Sequence, residues 1–405
     1  MATLKRKYAI ESVLVAFVVL VICVRRIALD PRVAVTTEQP PSARELAITA
    51  QIRDSALTFI TDNQKYDHRY KRDAHPNAHG CVTAEFRVSK NLEPRFRQGV
   101  FATPGKSYPA WVRFSNGTQA NDTKPDGRGM AIKLMGVPGE KLLPEQRDEQ
   151  TQDFVMVNHH TFFLRDVVEY QQFFNRQVKG EQFGYFISWN PLDWHLREFR
   201  VGLQLLLKKT PSPIAATYFS VLPFKLGNAL NVKFSVAPCD LATPDRCEPL
   251  AREMPKEPSS HYLREALVND LSPSADVSGN EQIAARFQFR VQVQDPGQNM
   301  PIEDASIEWS EAASPYLPIA ELVIPKQRFN SDLQNQFCEE LSFTPWHALP
   351  EHRPIGGLNR SRRVVYEAIA EKRHSGNGVV RREPRNFDIS SATLPTSTDR
   401  ERTSP

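Results

Sequence analysis

The stretch RDAHPNAHGCVTAEFRV, residues 72–88, joins a polar loop containing two histidines to a segment in which polar and apolar residues alternate. Between residues 81 and 88 an apolar residue recurs at every second position, which is typical of a strand with one buried face. The same pattern returns in five further segments, at residues 110–115, 130–134, 154–157, 232–236 and 287–294. The repeated alternation predicts an α+β fold built on an antiparallel sheet or barrel.

Helical periodicity is clearest at residues 45–63, 165–174, 191–208 and 360–372, so strands dominate the middle of the chain and helices its end. We expect one folded domain at residues 43–375, preceded by a linker at residues 29–42 that contains several Pro, Thr and Ser residues. Residues 376–405 are polar, nearly devoid of aromatic residues and predicted to be a disordered tail.

The N-terminal segment, residues 1–28, has the pattern of a membrane anchor. Cations at residues 5–7 precede an apolar run at residues 13–24, and Arg25 and Arg26 follow it. No signal-peptidase cleavage site, with its small residues, follows the apolar run. The slight N-terminal excess of positive charge favours a cytoplasmic N-terminus. We therefore expect a single-pass, membrane-anchored protein with an extracytoplasmic domain. The alternative is a buried N-terminal helix.

The composition is that of a globular protein, with 40% hydrophobic and 24% charged residues among 405. This composition excludes a disordered or fibrous chain. The net charge of +4, from 51 basic and 47 acidic residues, is nearly balanced, so no nucleic-acid partner is predicted.

The five cysteines form no CxxC pair and show no spacing typical of zinc ligands, so a zinc site is not expected. Cys239 and Cys247 flank a turn-like stretch. They are compatible with a local disulfide in an oxidising compartment or with two buried thiols.

One face of the predicted late helix carries Arg362, Tyr366 and Arg373, since a helix advances by about 100° per residue. Two neighbouring guanidinium groups favour the ionised form of a tyrosine. Phenolate is a hard anionic ligand that suits ferric iron. The alternative is a solvated helix face with a surface tyrosine.

A second pair of polar side chains, Arg113 and Ser115, shares one face of a predicted strand. A cation and a hydroxyl that face inward need partners. A haem propionate would satisfy the arginine, and the ring of His75 would satisfy the serine. Taken alone, His75 is equally compatible with a loop histidine next to Pro76.

Five motifs follow one another in a recognisable order. They are His-x-x-x-x-Gly at residues 75–80, Val-Arg-Phe-Ser at 112–115, Asp-x-Arg-Gly at 126–129, Asn158 followed by Phe-Phe-x-Arg-Asp at 162–166, and Arg-x-x-x-Tyr at 362–366. In this order they resemble the monofunctional haem catalase superfamily over about residues 70–375, in a form similar to the small bacterial catalase-related peroxidases. The resemblance implies a catalase-like antiparallel β-barrel with surrounding helices and a haem (iron protoporphyrin) cofactor.

The resemblance also implies roles for individual residues. Tyrosine is the haem ligand of catalases, and here that position is Tyr366. The remaining roles implied are Arg362 beside the phenolate, His75 as distal histidine, Ser115 as the hydroxyl that orients it, Asn158 as distal amide, and Arg72, Arg113 and Arg373 as propionate-binding arginines.

The implied function is haem-dependent decomposition of hydrogen peroxide to water and dioxygen. The alternative is a peroxidase or a hydroperoxide-converting enzyme that acts on organic or lipid hydroperoxides, which a membrane anchor favours. Ala74 stands where related hydroperoxide-rearranging enzymes tend to place threonine, and this disfavours rearrangement. A third hypothesis is a haem-binding or sensing protein without turnover, which we would expect to lose His75 or Asn158 first. The oligomeric state stays open, including a homo-oligomer.

Two departures bear on these roles. The distal histidine of large catalases is usually followed by Ala-Lys-Gly, whereas His75 is followed by Pro-Asn-Ala. Asn158 matches the family pattern only with a gap of one residue, and it is followed by His159 and His160. These two histidines would either add protonatable groups near the pocket or face away from it.

Overall fold

The computed structural model describes residues 15–18, 20, 35–190, 193–243, 246–273 and 283–389. The predicted membrane anchor lies largely outside these residues. Within the described part of the chain, no helix combines the length and the apolar character needed to span a bilayer.

The described residues form nine antiparallel strands in a single sheet. The strands pair in the order β5-β4-β3-β2-β1-β9-β8-β7-β6, and an additional pairing of β5 with β7 closes eight of them into a barrel. The predicted barrel with surrounding helices is confirmed. The strands are β1 Ala78–Val88, β2 Ser107–Asn116, β3 Arg128–Met135, β4 Thr151–Val157, β5 Tyr218–Phe219, β6 Phe224–Leu226, β7 Leu230–Cys239, β8 Ile283–Val293 and β9 Leu317–Pro325.

The interior of the barrel is apolar because every second residue of each long strand points inward. Phe86 of β1, Phe154 of β4 and Phe289 of β8 meet there, with ring centroids 4.9 Å apart for Phe154 and Phe289 and 5.2 Å apart for Phe86 and Phe289. Val112 and Phe114 of β2 belong to the same core. The alternate residues of β2, which include Arg113 and Ser115, therefore lie on the outer face of the barrel.

Helices cover this barrel from outside. Three of them, α1, α2 and α7, share a separate apolar cluster to which Ile52, Phe174 and Ile369 contribute. Helix α7 begins after Gly356, whose φ of 89° favours glycine and whose Cβ, if present, would lie 2.8 Å from the carbonyl oxygen of Ile302. The helices are α1 Ala43–Asp67, α2 Val167–Gln177, α3 Phe183–Phe186, α4 Leu196–Leu207, α5 Tyr262–Leu271, α6 Asp332–Glu340 and α7 Gly357–Gly376.

The segment after α7 differs from its prediction as a disordered tail. The Glu383 carboxylate lies 2.6 Å from the buried ammonium group of Lys133 on β3, and the ring of Phe387 contacts Trp111 edge to face. Residues 377–389 thus pack on the barrel, because a buried lysine and a buried indole need the partners that this polar segment supplies. Residues 390–405 lie outside the described part.

Two disulfides are present among the described cysteines. Cys239 and Cys247 form the local bond that was one of the two open interpretations. A second bond joins Cys81 on β1 to Cys338 on α6 across 257 residues of sequence, and it was not predicted. It fastens α6 to the outer face of the barrel.

Candidate active site

A cavity that is partly open to solvent lies between the outer face of β2 and β3 and the helix α7. The strand side contributes His75, Arg113, Ser115 and Gly129, and the helix side contributes Tyr366, Ile369, Ala370 and Arg373. The barrel and a helix from the other end of the chain thus bring most of the predicted site residues together.

His75 is held in a left-handed backbone conformation, with φ of 55°. A non-glycine residue adopts this conformation rarely, so the surrounding contacts must fix it. Its backbone N–H donates to the carbonyl of Gly117 at 2.7 Å, and its carbonyl accepts from Nε of Arg72 at 3.2 Å. The ring Nδ1 lies 3.1 Å from Oγ of Ser115, the contact expected from the sequence.

Gly129 of β3 lies directly beneath this imidazole. A Cβ at this position would stand 2.5 Å from Nδ1 of His75 and 2.8 Å from Oγ of Ser115. Any other residue would therefore displace the histidine from the serine. The glycine of the Asp-x-Arg-Gly motif thus allows the imidazole of His75 to lie close to the backbone of β3.

The electrostatic surroundings keep His75 neutral. Burial, followed by the positive charges of Arg113, Arg72 and Arg362, lowers the pKa of the imidazole to about 3. A neutral ring can accept a proton and return it later, which is the requirement for general acid–base catalysis.

On the helix side, Nη2 of Arg362 donates to Oη of Tyr366 at 3.0 Å. The guanidinium carbon also lies 5.1 Å from the centre of the tyrosine ring. The two residues are one helical turn apart, the spacing at which side chains of a helix meet. The phenol oxygen is thus paired with a cation at the wall of the cavity.

Three arginines converge at one edge of the cavity around Glu339. Nη2 of Arg72 lies 2.7 Å from Oε2 of Glu339, and both Arg72 and Arg373 donate to the Glu339 backbone carbonyl. Burial and the charge of Arg72 lower the pKa of Arg373 to about 9 and that of Arg113 well below its usual range. More positive charge is gathered here than one carboxylate neutralises.

Several donors in this cluster are buried and have no hydrogen-bond partner among the described residues: Nε and Nη1 of Arg113 and Nε of Arg373. A buried guanidinium donor that forms no hydrogen bond is costly and is expected to meet an anion. Carboxylates such as haem propionates would satisfy these donors. With a phenol on one wall, an imidazole on the other and cationic donors at the edge, the residues fit a haem.

No sequence pattern indicated a role for Glu339. Its neighbour Cys338 forms the disulfide to β1, and this bond places α6 beside the arginines. Only the three-dimensional pairing of residues far apart in sequence could have identified this carboxylate.

Asn158 lies at the end of β4 and is fully buried, but it is not among the cavity-lining residues. Its Oδ1 accepts from the backbone N–H of Arg128 at 2.8 Å, and its Nδ2 donates to Thr210 at 3.3 Å. The amide thus fixes the start of β3, next to Gly129.

His159 and His160 also lie away from the cavity. Their rings stack on each other at 4.5 Å, and Nε2 of His160 lies 3.0 Å from a carboxylate oxygen of Glu308. They therefore add no titratable group to the described lining of the cavity.

Comparison with known proteins relates part of the chain to one family. Residues 49–195, about a third of the chain, match the family model described as Catalase. This part of the chain is similar to catalases. The match covers the first four motifs and ends before Tyr366, so the roles of α7 residues stay predictions. No curated protein gave a match.

Solved structures share the fold of this catalase-like chain. A fungal catalase superposes with a TM-score of 0.53 at 15% identity, covering 86% of this chain and 65% of the other. Catalase A from Saccharomyces cerevisiae gives a TM-score of 0.53 at 16% identity, covering 85% and 68%. The chain thus spans just under two thirds of the fungal catalase, and at such identities the likeness shows the fold alone.

Proposed function

We propose that this chain is a haem-dependent oxidoreductase that decomposes peroxide, with hydrogen peroxide as its main substrate. The observation that supports this most is one cavity lined by His75 and Ser115 on its strand side and by Tyr366, to which Arg362 donates, on its helix side. The family and the fold agree with an oxidoreductase of this kind.

In this proposal Tyr366 is the iron ligand, and Arg362 stabilises the ionised phenol. Arg72, Arg113 and Arg373 bind the propionates, since Arg113 and Arg373 hold buried donors without partners. When haem is bound, its iron and porphyrin supply the redox chemistry that cleaves the oxygen–oxygen bond.

His75 moves the proton. Ser115 engages Nδ1, so Nε2 is the nitrogen that takes a proton from one peroxide oxygen and returns it to the departing one as water. In the catalase cycle a second peroxide is oxidised to dioxygen, so two molecules of hydrogen peroxide give two of water and one of dioxygen. The role of Asn158 in positioning peroxide, implied by the resemblance, stays a prediction.

The second candidate function is a peroxidase or hydroperoxide-converting enzyme for organic or lipid hydroperoxides. The predicted membrane anchor favours it, because such a tether keeps the domain close to lipid. The resemblance to small catalase-related peroxidases points in the same direction.

Oxygen evolution separates the two. The purified full-length protein, loaded with haem, is given hydrogen peroxide, and in parallel an organic hydroperoxide with an electron donor. Vigorous dioxygen release is expected for the catalase. Peroxide loss without dioxygen, dependent on the donor or specific to the organic substrate, would support the second function, and no peroxide loss at all would contradict both.

The proposal includes an extracytoplasmic domain on a single-pass anchor. Two disulfides among the described cysteines favour an oxidising compartment, where such bonds persist. Thiol labelling of protein taken directly from cells tests this location. Modification of Cys81, Cys239, Cys247 and Cys338 only after reduction is expected, and immediate modification would contradict it.

A further inference from the structure

Helix α4 presents its more apolar face to solvent. At about 100° per residue, Leu203, Leu206 and Leu207 fall within one arc of about 100°. All three are exposed, while the buried residues of the helix are Glu198, Val201 and Gly202. A helix that covers a core normally has the opposite arrangement. The outward leucines therefore need an explanation other than packing within the domain.

Two exposed aromatic residues extend this surface. Phe183 of α3 contacts the ring of Phe199, which lies on the same arc of α4, and Trp189 lies in the connection between the two helices. We call the three leucines and these two aromatic residues the apolar patch. The exposed fractions of its side chains are Phe183 60%, Trp189 95%, Leu203 42%, Leu206 40% and Leu207 60%.

The exposed charges beside the leucines are positive, whereas Glu181 and Asp193, near the two aromatic residues, are exposed acidic residues. Arg200 and Lys209 are exposed beside the leucines. The only acidic residue between positions 196 and 209 is Glu198, which is buried. Leucine and aromatic side chains flanked by cations are the composition of helices that lie in the interface of an anionic bilayer.

The N-terminal chain enters the domain close to this surface. The carbonyl of Val35 accepts from the N–H of Ile302, and Arg197 in the first turn of α4 donates to the carbonyl of Ser306, four residues further. Residue 24, where the apolar run of the predicted anchor ends, precedes Val35 by 11 residues, which reach at most about 40 Å. A bilayer that holds the anchor is thus within reach of α4, which is about 18 Å long.

We propose that the apolar patch docks on the surface of an anionic lipid bilayer, with Trp189 and the leucines at the boundary between headgroups and acyl chains. A second copy of the chain fits less well, since a stable protein interface needs about 20 to 30 residues on each side and the patch offers five. Leu205, on the inner side of α4, would lie 3.2 Å from a Cβ at Gly127, two residues before the glycine beneath His75. Docking therefore places the segment that leads into β3 next to the helix that contacts the membrane.

The test uses the full-length protein reconstituted in vesicles of zwitterionic and anionic phospholipid, part of it brominated near the top of the acyl chains. Bromine quenches tryptophan at short range. We expect the fraction of emission quenched to be clearly larger for the wild type than for Trp189→Phe, because Trp189 is exposed whereas the other four tryptophans are buried or half-buried. Equal quenching of the two proteins would show that the patch stays in water and would overturn the proposal.

A matched pair of double variants isolates the leucines. Leu203→Glu with Leu206→Glu is expected to abolish the quenching specific to Trp189, whereas Leu241→Glu with Leu333→Glu is expected to keep it. The control positions have the same exposed fractions, 42% and 40%. Unchanged quenching in the first variant would contradict the proposal. Loss of a dimer in that variant, with no quenching in the wild type, would assign the patch to self-association instead.

Discussion

The two sides of the cavity are built in different ways. On the strand side, Arg113 and Ser115 are fixed by sheet register, since Arg113 pairs with Ala131 and Ser115 with Gly129. On the helix side, α7 is held by side chains from distant parts of the chain. Arg360 forms two hydrogen bonds of 2.7 and 2.8 Å to Glu45, and Glu367 pairs with Arg381 at 2.8 Å.

This difference suits the two sides to different tasks, proton transfer on the strand side and cofactor binding on the helix side. The backbone ladder fixes Ser115, whose hydroxyl contacts the imidazole of His75, and proton transfer requires such a fixed geometry. A helix attached by side chains can dock after the barrel has formed and close over a cofactor. We therefore expect substitutions on the helix side to change haem retention and those on the strand side to change the rate.

The largest effect is expected for Tyr366→Phe. This change keeps the ring beside Arg362 but removes the oxygen proposed to bind iron, so stable haem ligation should be lost. Haem content per chain, measured by absorbance after gel filtration, checks this, with circular dichroism to confirm folding. Tyr66→Phe, at an exposed position of α1, is the control. Full haem content in the Tyr366 variant would remove the tyrosine from the ligand position.

His75→Asn should retain haem and lower peroxide turnover by about 10²- to 10⁴-fold, the usual contribution of a general acid–base. Asparagine tolerates the left-handed backbone better than alanine. His68 offers a matched control, since its φ of 54° is similar and it lies on the surface. If His75→Asn turned over peroxide as fast as His68→Asn, the strand side would have no role in proton transfer.

Lys133→Met tests whether the strand side also depends on the segment after α7. The ammonium group of Lys133 lies 2.6 Å from both Asp153 and Glu383, and the lysine is fully buried. Its removal leaves two buried carboxylates without a cation, which should lower the unfolding free energy by about 3–5 kcal/mol. Denaturant titration measures this. A loss no larger than that of Lys90→Met, at an exposed site, would show that the ion cluster is dispensable.

The smallest effect concerns pH. Because burial lowers the pKa of His75 from 6.5 to about 3, the ring stays neutral as the pH falls through 6.5. The specificity constant kcat/KM should therefore change little between about pH 5 and 8. An enzyme that depends on a histidine of ordinary pKa would lose half of its activity near pH 6.5. A midpoint near pH 6.5 in the measured profile would place His75 in a more solvated setting.

The sequence predicted the parts that depend on local pattern. Alternation identified β1 to β4, β7 and β8, and helical spacing predicted that Arg362 and Tyr366 lie on one face of a helix. Strand β9 was missed because its apolar run LPIAELVIP does not alternate cleanly. Glu339 was missed because its position depends on the disulfide between Cys81 and Cys338, residues far apart in sequence, and no local sequence pattern predicts such a contact.

The position of Asn158 shows another limit. Family order placed the amide near the peroxide, but the backbone N–H of Arg128 and the hydroxyl of Thr210 take up its hydrogen bonds. Satisfying buried donors competes with presenting a side chain to a cavity. Which demand prevails depends on neighbours that only the fold reveals.

The bond between Cys81 and Cys338 also sets an order of assembly. It encloses 257 residues, which include strands β2 to β9, and closing so long a loop stabilises the folded state by on the order of 5 kcal/mol. A chain made from its N-terminus completes Cys338 before Tyr366. The barrel can therefore be sealed covalently while the helix that carries the proposed iron ligand is still arriving. The proposed haem would then meet a finished strand side and be enclosed last.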